Sequence, residues 1–253
     1  MRRFEEFPSS DFTGTLITAD KPVAVFSGAD CQNMPADKPA CDHMEQQLYP
    51  FRNWGTSYVG AVTQPPPQGS TSYGDIWTVL ASQDGTTVTF EPSSVHAPIT
   101  LSAGKSVRFR TSSHFKVSSQ DLDHPILLTQ FMVGQNATGS TMGDPSMILA
   151  TPTEQYRASY AFSTPSSMAK DYVNIVRPSG TTVTLDGQPV SGPWVPVGGS
   201  GFEVARVLIS DGAHRVVADR PVGVTVYGYD EYVSYGYPGG LDLKQTVVIN
   251  PGG

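Results

Sequence analysis

The sequence repeats itself at an interval of about 100 residues, so the chain must fold as related units in tandem. Gly85–Phe90 (Gly-Thr-Thr-Val-Thr-Phe) returns 95 residues later as Gly180–Leu185 (Gly-Thr-Thr-Val-Thr-Leu). Each copy follows a short turn, and its glycine can adopt positive φ. The pair Ser57-Tyr58 likewise returns 102 residues later as Ser159-Tyr160. Because independent markers share one interval, the similarity indicates duplicated structural units.

A further marker, an Asp-x-Pro turn followed by an apolar run, occurs three times. Its copies are Asp20–Phe26, Asp123–Thr129 and Asp219–Val224, with prolines 103 and 96 residues apart. An interval of about 100 residues is the length of a small β-sandwich. We expect each aspartate to accept local hydrogen bonds in its turn, and the alternative is a role as a calcium ligand.

The local patterns are those of β-strands. Short β-branched and aromatic runs stand between turn residues, for example Ile76–Leu80, Thr86–Phe90, Val107–Arg110, Tyr172–Val176 and Val222–Tyr227. Helical periodicity is scarce, and the best helix candidate is Cys41–Leu48, which Pro50 would end. The sequence therefore predicts an all-β fold of tandem β-sandwich-like units of about 100 residues plus a half-unit.

The spacing of the markers predicts three segments. We expect a half-unit and disulfide loop in residues 1–41, a first full β unit in 42–131, and a second full β unit with a Tyr/Gly-rich C-terminal segment in 132–253. The half-unit lacks the front strands of a complete unit. Either residues 1–28 pair with Gln245–Ile249, which we favour, or the front half lies upstream in a longer precursor.

Cysteine usage bears on the compartment. Cys31 and Cys41 are the two cysteines of the chain, and a disulfide between them is favoured over free thiols. A metal pair is disfavoured because only His43 is near. A disulfide indicates an oxidising compartment, although Met1–Pro8 has no apolar stretch of the kind that a secretory signal requires. We therefore expect an extracellular or cell-surface protein, with this chain a fragment of a longer precursor.

Charge and hydropathy exclude two classes of partner. The formal net charge is −7, whereas a nucleic-acid-binding protein requires a clustered basic face. No apolar run approaches the roughly 18–20 residues of a membrane helix, so we expect no membrane insertion. The sequence indicates no cofactor and no metal site.

Several stretches resemble one known family in the same order along the chain. They are Leu16–Gly28, Cys31, Cys41–His43, Trp54-Gly55, Tyr227–Asp230 and Ser234–Gly240. Together they resemble the IgG Fc-binding protein N-terminal domain family, which includes uncharacterised bacterial surface or secreted proteins. The resemblance implies an extracellular, non-enzymatic, β-rich module that binds or scaffolds.

A group of tyrosines near the C-terminus is the candidate binding surface. Tyr229, Tyr232, Tyr235 and Tyr237 follow Tyr227 among glycines. Alternate residues of a strand share a face, and tyrosine combines apolar area with a polar tip. These side chains are predicted either to form a platform for a protein or glycan ligand or to fill the contact between units.

Catalytic motifs are lacking from the sequence. It contains no His-Glu-x-x-His, Gly-x-Ser-x-Gly or Walker pattern. We expect Asp42 and His43 to anchor the turn after the disulfide. His124 occupies a place that Lys21 and Arg220 hold in the other copies, which argues against catalysis.

We therefore predict a non-enzymatic binding or adhesion module that also contacts other domains of its precursor. The alternatives are a structural spacer without a ligand and, less favoured, a hydrolase with a site between units.

Overall fold

The structure is a computed structural model that describes residues 11–70, 72–190 and 192–247, and it is nearly all β. Its helices are short: α1 (Gln135–Thr138) and two 3-10 turns at Phe51–Asn53 and Thr153–Gln155. Its strands are β1 (Phe26–Asn33), β2 (Cys41–Gln47), β3 (Ser57–Gly60), β4 (Asp75–Ala81), β5 (Thr86–Glu91), β6 (Ile99–Leu101), β7 (Ser106–Thr111), β8 (Phe115–Ser119), β9 (Ile126–Met132), β10 (Ser146–Leu149), β11 (Arg157–Thr164), β12 (Lys170–Pro178), β13 (Val183–Leu185), β14 (Gln188–Pro189), β15 (Val195–Pro196), β16 (Phe202–Ile209), β17 (Gly212–Asp230) and β18 (Val233–Pro238). The predicted all-β class is confirmed.

Two sets of strands have the same order in their sheets. In the first set one sheet runs β3-β8-β5-β6 and the other β10-β9-β4-β7. In the second set β11-β17-β13-β14 and β18-β17-β12-β16 repeat these orders, with β15 added at the last edge. All of these pairings are antiparallel. We call the two sets the first unit and the second unit.

Strand β17 serves both sheets of the second unit. Its first part pairs with β11 and β13, and its last part pairs with β12 and β18. In the first unit the corresponding path is divided into β8 and β9, which an Asp-x-Pro turn separates. Strands that change sheets in this way form the corners of packed β-sheets.

Each unit encloses its own hydrophobic core between its two sheets. In the first core the rings of Trp77 and Phe115 meet edge to face with centroids 5.0 Å apart. The second core is mainly aliphatic and includes Val173, Ile175 and Val216, all at 0% exposure. Burial of one such side chain stabilises the fold by about 1.5–3 kcal/mol.

Two of the sequence markers meet inside each unit through a buried tyrosine hydroxyl. Tyr58 donates a hydrogen bond to the carbonyl oxygen of Ile126 at 2.8 Å, and Tyr160 donates one to that of Val222 at 2.5 Å. Each carbonyl belongs to the residue directly after the proline of an Asp-x-Pro marker. Each hydroxyl also accepts the backbone N–H three residues earlier, at 3.2 and 2.9 Å respectively. The Ser-Tyr and Asp-x-Pro markers therefore recur together because they form one joint.

The Gly-Thr-Thr marker forms the same turn in both units. Gly85 and Gly180 have φ values of +69° and +78°, which confirms the expected positive φ. The following threonines, Thr86 and Thr181, donate to backbone carbonyls three residues earlier at 2.7 and 2.6 Å.

The prediction of a helix at Cys41–Leu48 was wrong, because Cys41–Gln47 forms strand β2. It pairs with β1, and the disulfide between Cys31 and Cys41 closes this hairpin with the Cα atoms 5.0 Å apart. An isolated helix of this length is marginal in water. Met44 is instead buried, at 5% exposure, against the first unit. The predicted disulfide is confirmed.

The β1–β2 hairpin is a third copy of the hairpin that ends each unit. One backbone hydrogen bond is common to all three copies and sets their register. It joins Leu48 N–H to Val25 O (2.8 Å), Ala150 N–H to Leu128 O (3.0 Å) and Gly239 N–H to Val224 O (2.7 Å). The half-unit therefore corresponds to the final hairpin of a unit.

The half-unit packs on the first unit through the loop and second strand of its hairpin. Met34 and Met44 contact Phe131, which lies six residues after the proline of its Asp-x-Pro turn. The backbone N–H of Gly134 donates to Met34 O at 2.9 Å.

The first unit packs on the second in the corresponding way. Met132 and Ile148, on its final hairpin, contact Tyr227, which again lies six residues after the proline. Gly143 N–H, in the loop of that hairpin, donates to Asp230 O at 2.9 Å. The two successive junctions are therefore built alike.

The favoured pairing of residues 1–28 with Gln245–Ile249 is not found within residues 11–28 and 245–247. Phe26–Asn33 pairs with β2, and the amides of Thr246 and Val247 donate to Arg52 O at 2.9 and 3.3 Å. Residues 1–10 and 248–253 lie outside the described residues.

The predicted segment limits, 1–41, 42–131 and 132–253, stay predictions. Strand pairing groups β10 with β9, so the sheet of the first unit continues to Leu149. None of the helices in the described part of the chain is long and apolar enough to cross a membrane.

Candidate binding site

The junction between the two units is a buried polar network. The side chain of Asn174 on β12 donates to Ala61 O at 2.9 Å and to Val62 O at 3.2 Å. Its Oδ1 accepts the hydroxyl of Tyr227 at 3.0 Å, and that hydroxyl accepts Gln64 N–H at 2.7 Å. Because Asn174 and Tyr227 are at most 1% exposed, these bonds hold the units together without offering a surface to a ligand.

A carboxylate supports the same segment from the first unit. Asp75 is 2% exposed and accepts the backbone N–H of Thr63 at 2.7 Å, its hydroxyl at 2.8 Å and the amide of Gln130 at 2.6 Å. Burial raises the pKa of Asp75, and these hydrogen bonds oppose the rise. The carboxylate is thus fully engaged inside the protein, as a structural group is.

The first of the candidate tyrosines, Tyr229, lies in the contact between units. It is 2% exposed, and its hydroxyl donates to Gln64 O at 2.8 Å. Its ring meets that of Tyr172 edge to face with centroids 6.2 Å apart. Tyr229 therefore has almost no surface to present to a ligand in this state.

Tyr235 and Tyr237 lie together on β18. Their rings stack with centroids 6.0 Å apart, and both side chains are half-buried. The Tyr235 hydroxyl donates to Asp171 Oδ1 and the Tyr237 hydroxyl to Ser163 O, each at 2.5 Å. The hydroxyls therefore tie β18 to β12 and β11, and both residues remain partly exposed.

Tyr232 lies apart from the other three, at the tip of the β17–β18 turn. Its φ is +57°, and its side chain is 53% exposed. Its backbone N–H donates to Thr141 O at 3.3 Å, in the first unit. The structure thus brings Tyr235 and Tyr237 together and leaves Tyr232 and Tyr229 at separate places.

A cleft of about 360 Å³ opens beside the junction. Its polar lining comes from both units: Ser112, Ser113 and His114 from the first, and Arg206 from the second. Val195 and Pro196 form an apolar wall. The cleft exists only because the units are packed together, since neither unit contributes the complete lining.

The charges in the cleft favour an anionic or hydroxylated ligand. His114 Nδ1 accepts Val62 N–H at 3.0 Å, so the neutral ring carries its proton on Nε2 as a donor. Burial and the neighbouring Arg206 lower the pKa of His114 to about 4. Arg206 Nη1 donates to Thr63 O at 3.2 Å, which orients the guanidinium. Arginine, serine and histidine donors together suit a carboxylate or sugar hydroxyls.

The sequence offered little signal for this cleft. His114 stands alone among its neighbours in sequence, and Arg206 lies 92 residues away without a shared motif. Only the Ser112-Ser113-His114 run, a compact group of hydrogen-bonding side chains in a turn, could have marked the site.

The other polar candidates are engaged elsewhere. His43 lies exposed on β2, 3.6 Å from Glu45, and not in the turn where we expected it. His214 contacts Asp186 at 2.7 Å, and no group of three or more His, Cys, Asp or Glu residues able to hold a metal occurs within the described ranges. The turn predicted at Asp219 is not present, because Asp219 lies within strand β17 and accepts Thr182 N–H at 3.0 Å across the sheet.

Comparison with known proteins gives the family. A family model described as IgGFc binding protein matches residues 4–228. The human IgGFc-binding protein is 29% identical over 246 residues, which cover 95% of this chain and 4% of the human protein. No solved structure matches. With a family match over most of its length, in line with the motifs and the disulfide described above, the chain belongs to the IgGFc-binding protein family.

Proposed function

We propose that the chain is an extracellular, non-enzymatic recognition module of a larger protein, and that it binds protein or glycan ligands through the cleft at the junction. The observation that carries this proposal is the convergence of Arg206, His114 and two serine hydroxyls beside an apolar wall. The cleft volume of about 360 Å³ falls within the range of small-ligand sites, roughly 300–1,000 Å³.

The geometry suits a ligand with an acidic group. Arg206 is exposed, and one protein carbonyl is bonded to its guanidinium, which leaves N–H groups for a carboxylate. The junction network fixes the two sides of the cleft relative to each other, so little ordering is required on binding. The disulfide and the family membership support an extracellular setting.

The tyrosine hairpin is proposed as a second contact surface. Tyr232, Tyr235 and Tyr237 retain accessible ring area on one hairpin, and tyrosine is enriched at protein interfaces. Tyr229 would act on this surface only indirectly, by holding β17 against the first unit.

The test is binding of the oxidised chain, by surface plasmon resonance, to IgG Fc, a mucin glycoprotein and a bacterial polysaccharide. Arg206→Gln is expected to weaken binding at least tenfold. Arg220→Gln is the matched control, because Arg220 is an exposed arginine that also donates to a backbone carbonyl, Ser179 O at 2.9 Å. Tyr232→Ala probes the hairpin. Binding that both arginine variants reduce equally would reject the cleft.

One observation favours the alternative function of a spacer. Both junctions in the chain are built alike, with the final hairpin of one unit against the sheet of the next. A stack of this kind holds its ends at a fixed separation. Absence of saturable binding to all three ligands, with the fold intact by circular dichroism, would select the spacer.

A further inference from the structure

We propose that residues 11–47, which comprise the described part of the half-unit and the rest of its hairpin, are the binding surface for the front half of a preceding β unit of the same fold, supplied by polypeptide N-terminal to it in a longer precursor. The front half means strands equivalent to β3–β7 of the first unit. This inference is independent of the cleft.

The first support is a position that is buried in both complete units and exposed in the half-unit. The hairpin register makes Val23 equivalent to Ile126 and Val222, each directly after the proline of its Asp-x-Pro marker. Ile126 and Val222 are both 0% exposed, in the cores of complete units, whereas Val23 is 63% exposed. The half-unit thus presents to solvent a position that the fold buries.

The second support is an open strand edge. Strand β9 pairs with β10 on one side and β4 on the other, and β17 pairs likewise with β18 and β12. Within the described residues β1 pairs with β2 alone. None of the described strands takes the place of β4 beside it, and a strand edge that no other strand covers is a template for strand addition.

The third support is the distribution of exposed apolar side chains. Of the twelve large hydrophobic residues that are exposed in the described part of the chain, five fall between residues 11 and 26. They are Phe12 (44%), Leu16 (83%), Ile17 (55%), Val23 (63%) and Phe26 (58%). A concentration of this kind marks an interaction surface.

The position of the half-unit on the first unit indicates which polypeptide segment would cover its exposed surface. The hairpin is already held on the first unit through Met34 and Met44, in the way that Met132 and Ile148 hold the first unit on the second. It therefore has the orientation that it would have in a complete unit, and the place of the missing strands is defined. In both complete units the front strands precede the final hairpin along the chain, which places the occupant upstream.

None of the strands in the described part of this chain is free to fill that place. Strands β3–β7 span residues 57–111, and those of each complete unit are engaged in their own sheets. Residues 1–10 and 248–253, the terminal segments outside the description, are too short to supply five strands.

The test places a copy of the chain's own residues 56–113 ahead of Met1 in the full-length protein. Hydrogen exchange, read by mass spectrometry on peptides covering residues 20–29, is expected to slow at least tenfold relative to the unextended chain. An insert of equal length and scrambled order is the matched control and should leave exchange unchanged. Val23→Asp should abolish the protection in the extended protein and leave the unextended chain as stable as before.

Two results would overturn the proposal. One is exchange in residues 20–29 that the native-order insert slows no more than the scrambled insert does. The other is a dimer of the unextended chain, seen by light scattering, in which these peptides gain protection with concentration. That outcome would assign the surface to a second copy.

Discussion

At the scale of single residues, the fold depends on polar groups that are satisfied inside it. The hydroxyls of Tyr58 and Tyr160 each accept one backbone N–H and donate to one carbonyl, and thereby join the start of a unit to its Asp-x-Pro marker. A buried backbone group that loses its partner costs about 1–3 kcal/mol. Two tyrosines that are 102 residues apart in sequence therefore have one structural role.

We predict that Tyr58→Phe and Tyr160→Phe each lower the free energy of unfolding by about 1–2 kcal/mol, because a carbonyl and an amide lose their partner. Urea denaturation measures the change. Tyr232→Phe, at an exposed turn, should stay within about 0.5 kcal/mol of the unsubstituted protein. Equal stabilities for Tyr58→Phe and Tyr232→Phe would contradict the proposed joint.

His114 is predicted to make stability depend on pH. Its pKa is about 4 in the folded state against a usual 6.5, so between these values the unfolded chain binds more protons. The free energy of unfolding should therefore fall as the pH falls from about 6.5 to 4, by at most about 3 kcal/mol. Asp144 acts in the opposite direction, since burial raises its pKa to about 6.

The contribution of His114 is isolated by comparison with His114→Gln, whose amide oxygen can still accept Val62 N–H. Stability curves of the two proteins, measured by urea denaturation from pH 7 to 4, should show the unsubstituted protein losing stability relative to His114→Gln as the pH falls. Parallel curves would show that His114 does not titrate as expected.

At the scale of elements, the final hairpin is the recurring part, and its loop is the variable one. The loop has seven residues between β1 and β2, thirteen between β9 and β10, and two between β17 and β18. The first two loops reach the next unit, through Met34 O and Gly143 N–H. The hairpins thus keep one register, while their loops differ in length and in the contacts that they make with the next unit.

The disulfide is predicted to stabilise the first of these hairpins. Cys31→Ser/Cys41→Ser should lower the free energy of unfolding by about 2–3 kcal/mol, because a loop of about ten residues is no longer closed in the unfolded chain. Urea denaturation measures the loss. A reductant should have the same effect on the unsubstituted protein and none on the double variant, and a different response would point to another role for the cysteines.

The elements also show what the sequence could predict. Strand β5 was predictable because its alternation of side chains reflects one buried face, and the repeat was visible because its markers bond to one another. Strand β2 was not predictable from the sequence, since its residues are mostly polar. The disulfide and the burial of Met44 decide its conformation. The cleft was not predictable either, because the packing of two units brings His114 and Arg206 together.

At the scale of the whole molecule, the junction makes the two units one body. The first unit covers one face of β12, β16 and β17, through apolar contacts at Val176 and Val204 and through the hydrogen bonds of Asn174. Units of a repeat protein that share buried interfaces unfold together when the interface is strong. The two units are therefore expected to unfold together, although the sequence repeat marks a boundary between them.

We predict that Asn174→Ala uncouples the units, because two carbonyls and the Tyr227 hydroxyl lose a partner inside the interface. The cost should be about 2–3 kcal/mol, and differential scanning calorimetry should show one transition becoming two. Asn136→Ala is the control, since its exposed amide bonds only to Pro39 O. A single transition in Asn174→Ala would mean that the apolar contacts suffice.

Ionisation of the buried tyrosines reports whether the protein is folded. Burial raises the pKa of Tyr49 and Tyr160 to about 12, and it raises the pKa of Tyr58, Tyr227 and Tyr229 further. Above pH 10 the unfolded chain releases these phenolic protons while the folded chain retains them, so alkali favours unfolding. In an alkaline titration, ultraviolet absorbance would therefore record tyrosinate from these side chains only as the units open.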